Sequence, residues 1–413
     1  MFILKKKIKG GEKVKEEVKE RNKWINGAIP ALLLHLSVGS VYAFSLFINS
    51  IVEYMNVSHA QVQFTFSLAI FFLGMSAAFG GKLVEKNITK SAIIGTICFC
   101  SGMILSGFAV LNKSIFELYL SYGVLGGIGL GITYLTPCKT LMLHFNKNKG
   151  MAMGLSVMGF GFASTIASPI ITGLLKVYSV STVLIIMGTI YLIPMIIGTV
   201  LLKKPLSFEN IDKSNNEKFN YLKLLKNPFF VLCWLMFFLN IHCGLSLIGV
   251  ASPIMANYGI NIKTITLIVS IMGICNGLGR IVFSTIGDFL KKRIHIYIMM
   301  FLLSMAVVTL YILNYNTLTI AIMFCAISSF YGAGFSNIAP LLSDKYSIQD
   351  ISKIHGAILS AWGIAGLTGN MTTTIIFEKT QSYHNIFSLL IILYFIALVC
   401  AEIILIYTEK KKG

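Results

Sequence analysis

Acidic residues are scarce in this chain. Its 413 residues hold 16 Asp and Glu against 34 Lys and Arg, and charged residues make up only 12%. A soluble domain carries about 25% charge, so a water-covered globular surface is excluded for most of the length. Cysteines are few and scattered through apolar stretches. Cys98 and Cys100 form only a C-x-C, which excludes a zinc-type spacing and leaves them as small packing residues. No H-E-x-x-H, G-x-S-x-G or pair of aspartates within an apolar stretch occurs, so the usual membrane-embedded hydrolases find no support. The glycine runs lack a P-loop lysine, which removes ATP as a driving force. No cofactor and no metal site are expected.

What remains is apolar: 56% of residues are hydrophobic. Crossing a bilayer takes about 20 such residues in a helix, and twelve stretches qualify: 24–51, 61–83, 91–111, 115–144, 151–176, 182–202, 228–258, 264–289, 294–313, 317–343, 354–377 and 384–406. A β-barrel would show short alternating strands instead. The expected fold is an all-α polytopic membrane protein with twelve transmembrane helices. The net charge of +18 is a topology signal, with no nucleic acid implied. The N-terminal segment 1–23, the loops after segments 2, 4, 6, 8 and 10, and the C-terminus hold 28 of the 34 basic residues. Excess Lys and Arg marks the cytoplasmic side. Both termini are therefore predicted inside, which requires an even number of spans, in the plasma membrane of a cell. Lys5 to Lys23 read as an anchor on anionic membrane lipid.

The spans divide into two halves. The expected organisation is a basic segment 1–23, a six-helix bundle 24–202, a cytoplasmic linker 203–226, a second bundle 227–406 and a tail 407–413. Landmarks recur at one offset of 203 residues: Gly131 with Gly334, Pro137 with Pro340, Glu85 with Asp288, Lys90 with Arg293. One offset that serves an acid, a base, a glycine and a proline marks a duplication. Two six-helix halves in parallel register place a central site between them near the bilayer midplane.

These features resemble the major facilitator superfamily. Gly81, Glu85, Lys86 and Lys90 after segment 2 are similar to that superfamily's loop motif, and Asp288 to Arg293 after segment 8 is a degenerate second copy. An acid at a helix end facing basic residues makes a latch that can break and reform. A narrower resemblance is to the oxalate/formate antiporter family. It rests on Gly39 to Phe47, Gly126 to Pro137, Gly150 to Gly154, Asn276 to Arg280 and His355 to Gly363. The resemblance implies exchange of small carboxylates held by basic residues in segments 8 and 11 and by an aromatic cage.

Arg280 is the central candidate. It lies eight residues before Asp288, about 12 Å deep in a core about 30 Å thick. A guanidinium cannot shed its proton there, and a fixed charge at that depth is rare. Its repeat mate is Ala77, and all sixteen acids fall in loops, tails or segment ends, with Glu402 the deepest. A substrate carboxylate, gripped by two nitrogens at once, fits this gap. The family's segment-11 lysine is missing: no Lys or Arg occurs between Lys353 and Lys379. One cation suits a monocarboxylate better than a dianion. Lys139 in segment 4 has two readings, a snorkelling side chain or a second cation on the inward path. Tyr42, His35, Tyr134, Asn337, Tyr331 and Trp362 are the polar and aromatic candidates around the substrate, each with interhelical packing as the plainer alternative. His35 and His242 could titrate, although a lone intramembrane histidine is more often a hydrogen-bonded packing residue.

The expected function is secondary transport of small organic anions by alternating access, as an exchanger and as a monomer. The rivals are a proton-coupled carboxylate symporter, a drug or cation exporter, and a membrane sensor. The exporter is weakened by the absence of deep acids.

Overall fold

The computed structural model describes residues 2–9, 12–208, 220–248, 250–348 and 350–409. Two strands, β1 (Phe2–Lys9) and β2 (Glu12–Lys19), pair antiparallel. The other regular elements among the described residues are all helices.

The long helices are α1 (Trp24–Ala43, continued by Ser45–Met55), α2 (His59–Lys86), α3 (Ile88–Leu111), α4 (Ile115–His144), α5 (Lys149–Leu175) and α6 (Val180–Leu201). After a short linker helix (Tyr221–Leu225) come α7 (Pro228–Ile248, continued by Ala251–Asn257), α8 (Ile262–Phe289), α9 (Ile294–Leu313), α10 (Thr317–Ser343), α11 (Ile351–Thr380) and α12 (His384–Glu409). Eleven helices among the described residues have the length and apolar character to cross a membrane. The twelfth, α11, has 30 residues, about 45 Å of helix, but carries His355, Trp362, Thr368 and Thr372 along its length. Its polarity fits an inside position, since it packs against α2 in one half and α7 in the other.

Helix starts follow local chemistry. Ser58 accepts from the Gln61 amide while the Gln61 side chain caps Ser58 in return, and Asn316 opens α10 by the same reciprocal arrangement with Thr319. Asn87, Ser179 and Asn261 cap α3, α6 and α8. Each satisfies an amide that the helix itself leaves unbonded. Inside α4, Pro137 has no amide to give the Thr133 carbonyl, and the Thr136 hydroxyl takes that carbonyl instead at 3.1 Å.

The duplication is visible in the packing. In the first half α1 packs on α5, α2 on α4 and α3 on α6; in the second, α7 packs on α11, α8 on α10 and α9 on α12. The halves meet through α2 with α11 and α5 with α8, again a repeat-related pair. Arg21 donates to the Lys204 carbonyl at 2.7 Å, and Lys292 pairs with Glu409. His144, ending α4, contacts the Lys203 carbonyl, and the Gly150 amide, opening α5, donates to Asp288 at the end of α8, so the N-terminal lead-in, the linker, the α8–α9 loop and the end of the last helix lie at one end of the bundle, called here the basic end.

Candidate functional site

Arg280 is fully buried on α8, with 0% of its surface exposed. Its Nε donates to the Asn276 side-chain oxygen one turn earlier, at 3.0 Å. Both terminal nitrogens lack a hydrogen-bond partner among the described residues. The guanidinium instead lies over the rings of Phe160 (5.7 Å) and Phe335 (5.0 Å). Ring faces attract a cation, and the oxygens turned toward it are the neutral hydroxyls of Tyr42 and Tyr134; no carboxylate among the described residues pairs with its charge. Leaving a buried charged donor unmade costs several kcal/mol in order of magnitude. An external anion is the natural way to recover it.

The surroundings are aromatic and polar together. Trp362 packs edge-on against Tyr134 (5.5 Å), Phe160 (5.5 Å) and Phe335 (4.5 Å). Tyr134 also touches His35 (5.2 Å) and His355 (6.0 Å). The Trp362 indole nitrogen and His355 Nε2 are buried without a hydrogen-bond partner among the described residues, and the buried Tyr134 hydroxyl faces Arg280. Tyr42 bridges the halves through a 3.0 Å hydroxyl contact with Tyr331, and its ring lies 5.3 Å from Phe160. The Tyr42 and Tyr134 hydroxyls both turn toward the Arg280 guanidinium. The cage thus draws on α1, α4, α5, α8, α10 and α11, three helices from each half.

Six of the eight residues singled out as substrate candidates meet here: Arg280, Tyr42, Tyr134, Tyr331, Trp362 and His35. Asn337 and Lys139 stand elsewhere. Asn337 accepts from Arg293 at 3.0 Å and donates to the Ala333 carbonyl at 2.9 Å. Lys139 neither snorkels nor faces the cage. It is buried in an ion pair with Glu85 (2.8 Å) and donates to the Ile348 carbonyl at 2.5 Å. Phe160, Phe335, His355 and Asn276 complete the cage and were not among the candidates. His355 and Asn276 carried a signal, since both sit in the strings that resemble the antiporter family. The two phenylalanines carried none in a chain with 29 of them.

At the basic end two acids sit on repeat-related contacts. Glu85, ending α2, accepts from the Ser352 amide at the start of α11, at 2.9 Å. Asp288, ending α8, accepts from the Gly150 and Met151 amides at the start of α5, both at 2.8 Å. Carboxylates are favoured at helix N-termini, where amides are unbonded and the dipole is positive. Each acid keeps a cation from its own half: Lys139 beside Glu85, Arg293 beside Asp288. Lys86 and Lys90 stay exposed, so the cation partnering Glu85 comes from α4 and not from the loop. Glycine is required at both crossings. A Cβ on Gly81 would lie 2.5 Å from the Ser352 carbonyl, and one on Gly150 would lie 2.0 Å from that of Ser284.

Comparison with known proteins agrees with this architecture. Residues 31–245 and 241–413 match the family described as the Major Facilitator Superfamily. The chain is 24% identical over 355 residues to YhjX, an uncharacterised MFS-type transporter of Escherichia coli, covering 84% of this chain and 87% of that one. It is 27% identical over 272 residues to the oxalate:formate antiporter of Oxalobacter formigenes (65% and 64% covered). A further 27% identity over 227 residues relates it to monocarboxylate transporter 12 of Xenopus laevis (49% and 48%). Among solved structures, the proton:xylose symporter XylE superposes with a TM-score of 0.74 at 14% identity, over 93% of this chain and 94% of that one. FucP in its outward conformation gives 0.71 at 13%, over 91% and 97%.

Proposed function

The chain belongs to the Major Facilitator Superfamily, a multi-pass membrane transporter, and on that premise we propose that it carries small organic monoanions, monocarboxylates above all, by alternating access of its two halves. One observation carries this reading: the buried guanidinium of Arg280 has no carboxylate and no close hydrogen bond on its two terminal nitrogens among the described residues, inside an aromatic cage built from both halves. A carboxylate presents two oxygens at the spacing of that fork. The Tyr134 hydroxyl and the Trp362 indole nitrogen stand nearby to orient it. The cage offers one full positive charge, because Lys139 and Arg293 are each committed to an acid, and one charge suits a monoanion. The names of the antiporter and of the monocarboxylate transporter support the same substrate class.

The two capping contacts hold the basic end closed. Opening that end breaks Glu85 from α11 and Asp288 from α5, while each acid retains the cation of its own half. With the basic end on the cytoplasmic side of the plasma membrane, this state faces outward, and a single chain contains the whole site. An empty carrier must reorient with Arg280 uncompensated, which raises that barrier above the loaded one. Exchange of one anion for another is therefore favoured over return of the empty carrier. Counterflow in proteoliposomes tests this with a panel of formate, acetate, lactate and oxalate: exchange should outrun net uptake, and oxalate should compete poorly. Equal rates of exchange and net uptake would overturn the exchange reading, and indifference to every carboxylate would overturn the substrate class.

A further inference from the structure

Tyr42 and Tyr331 meet across the two halves through hydroxyls 3.0 Å apart. Helix α1 starts at the basic end, and α8 and α10 finish there, the Ser343 carbonyl of α10 accepting from Lys149 at the start of α5. Arg280 precedes Phe289 by nine residues, Tyr331 precedes Ser343 by twelve, and Tyr42 follows Trp24 by eighteen. At the rise of a helix these are about 14, 18 and 27 Å from the basic end. The tyrosine contact therefore lies on the far side of Arg280 from the latches. Arg280, Tyr134, Phe160, Phe335 and Trp362 are fully buried, whereas Tyr42 is half-buried. The pair caps the cage toward the end opposite the latches.

Two glycines stand near this cap, and they do different things. Gly39 opens the tight turn Gly39–Ala43 that carries Tyr42. A Cβ on it would lie 2.6 Å from both the Phe160 Cα and the Phe160 carbonyl oxygen. Those are backbone atoms, so Gly39 sets how closely α1 approaches α5. Gly244 lies on α7. A Cβ there would lie 2.3 Å from Tyr331 Cδ2, 3.1 Å from Cγ and 3.2 Å from Cε2. Its three nearest neighbours all belong to one ring. That ring has little room to step aside. Phe335, one turn along α10, stands edge-on to it at 5.1 Å. Phe335 in turn packs at 4.5 Å against Trp362 and lies 5.0 Å from the Arg280 guanidinium. A side chain at position 244 drives the Tyr331 ring into the cage, toward Tyr42 or onto Phe335.

The cage thus has its charge on the latch side and its cap on the other. A carboxylate that grips Arg280 turns its tail away from the guanidinium. With the latches shut, the tail runs toward the tyrosine pair. A short tail leaves the hydroxyl contact whole. A longer one must enter between the two rings and break it.

Resting on the reading of Arg280 as the anion site, we infer that Gly244 is a specificity-determining residue: by holding Tyr331 recessed against Tyr42, it fixes the longest tail the site accepts. Gly244 acts through Tyr331, so it is a positioning residue, and its substrate class is the short-tailed monocarboxylate.

The test is titration calorimetry of sodium formate, acetate, propionate, butyrate and hexanoate into the purified full chain at neutral pH. The wild type should bind hexanoate at least about tenfold more weakly than its best short homologue, because a tail that splits the cap forfeits a buried hydrogen bond. Tyr42→Ala should carry the preference to longer tails, each methylene newly housed adding about fourfold in affinity. Gly244→Ala should do the reverse and weaken butyrate more than formate. A double variant isolates the route: in a Tyr331→Ala background, Gly244→Ala should no longer alter the preference, since the ring it displaces is gone. Hexanoate bound by the wild type as tightly as acetate would overturn the assignment, whether or not any variant folds. Equal losses for every acid in Gly244→Ala, the same shift in the Tyr331→Ala background, or an unchanged preference in Tyr42→Ala would each overturn it too. If none of these acids binds the wild type, the anion reading of Arg280 itself falls, and the assignment with it.

Discussion

Three Lys and Arg side chains are buried among the described residues, and the molecule holds them in two unlike ways. Lys139 and Arg293, at 3% and 7% exposure, lie at the basic end, each against a carboxylate and each with a further oxygen in reach. Arg280, at 0%, lies between the halves with one amide oxygen on Nε, aromatic rings and neutral tyrosine hydroxyls around it, and no carboxylate among the described residues. Burial is alike and compensation is not. A buried cation with its own anion is part of the scaffold or its latch. A buried cation without one is incomplete until something enters from outside.

Four substitutions sharpen or break that contrast. Arg280→Ala carries the largest expected effect: carboxylate transport falls by at least about 100-fold, as for a lost bidentate charged contact, while membrane insertion is retained. Arg280→Lys recovers little, because an ammonium cannot reproduce the fork; uptake equal to wild type in either variant would remove Arg280 from the site. Lys139→Met should cost about 3 kcal/mol of stability by stranding Glu85, read as a lower thermal midpoint in detergent. Adding Glu85→Gln should return most of that loss, and a double variant no better than the single would break the latch half of the comparison.

Asp288→Asn weakens the cap on α5 and should shift the population toward an open basic end by about tenfold, from up to about 2 kcal/mol for a partly buried charge at a helix terminus. Spin labels at Lys90 and Lys291, exposed positions in opposite halves, should then report longer distances, and an unchanged distribution would count against the cap. The smallest effect is expected for Tyr134→Phe. It removes one neutral hydroxyl, worth about 0.5–1.5 kcal/mol, so substrate affinity should fall a few-fold with little change in maximal rate.

Much of this was legible in the chain. Apolar run length gave the twelve helices, and the offset of 203 gave the duplication that the packing repeats. Arg280 stood out because a fixed charge inside an apolar run has few explanations. Its lack of a partner could be anticipated because the acids were few enough to place one by one. The pairing at the latches was less legible. Glu85 reads as the end of a segment, and only the fold brings the start of α11 and the α4 lysine to it, 267 and 54 residues away in sequence. Asn337 was misplaced for the same reason: a polar residue beside a repeat proline gives no sign of which neighbour takes its oxygen. Phe160 and Phe335 were invisible because packing phenylalanines and cage phenylalanines share one hydrophobic pattern. His35 could be listed as titratable, but the two carbonyls it faces belong to other helices.

The central claim is that Arg280 waits for an external anion, and thermal unfolding of wild type and Arg280→Met with and without small monocarboxylates tests it most directly. Stabilisation by a bound ligand grows with its concentration relative to Kd. The account predicts a rising midpoint for the wild type with carboxylate, none for Arg280→Met, and a ligand-free Arg280→Met at least as stable as the ligand-free wild type, since an uncompensated buried charge has been removed. A variant that keeps the carboxylate shift, or is markedly less stable without ligand, would contradict it.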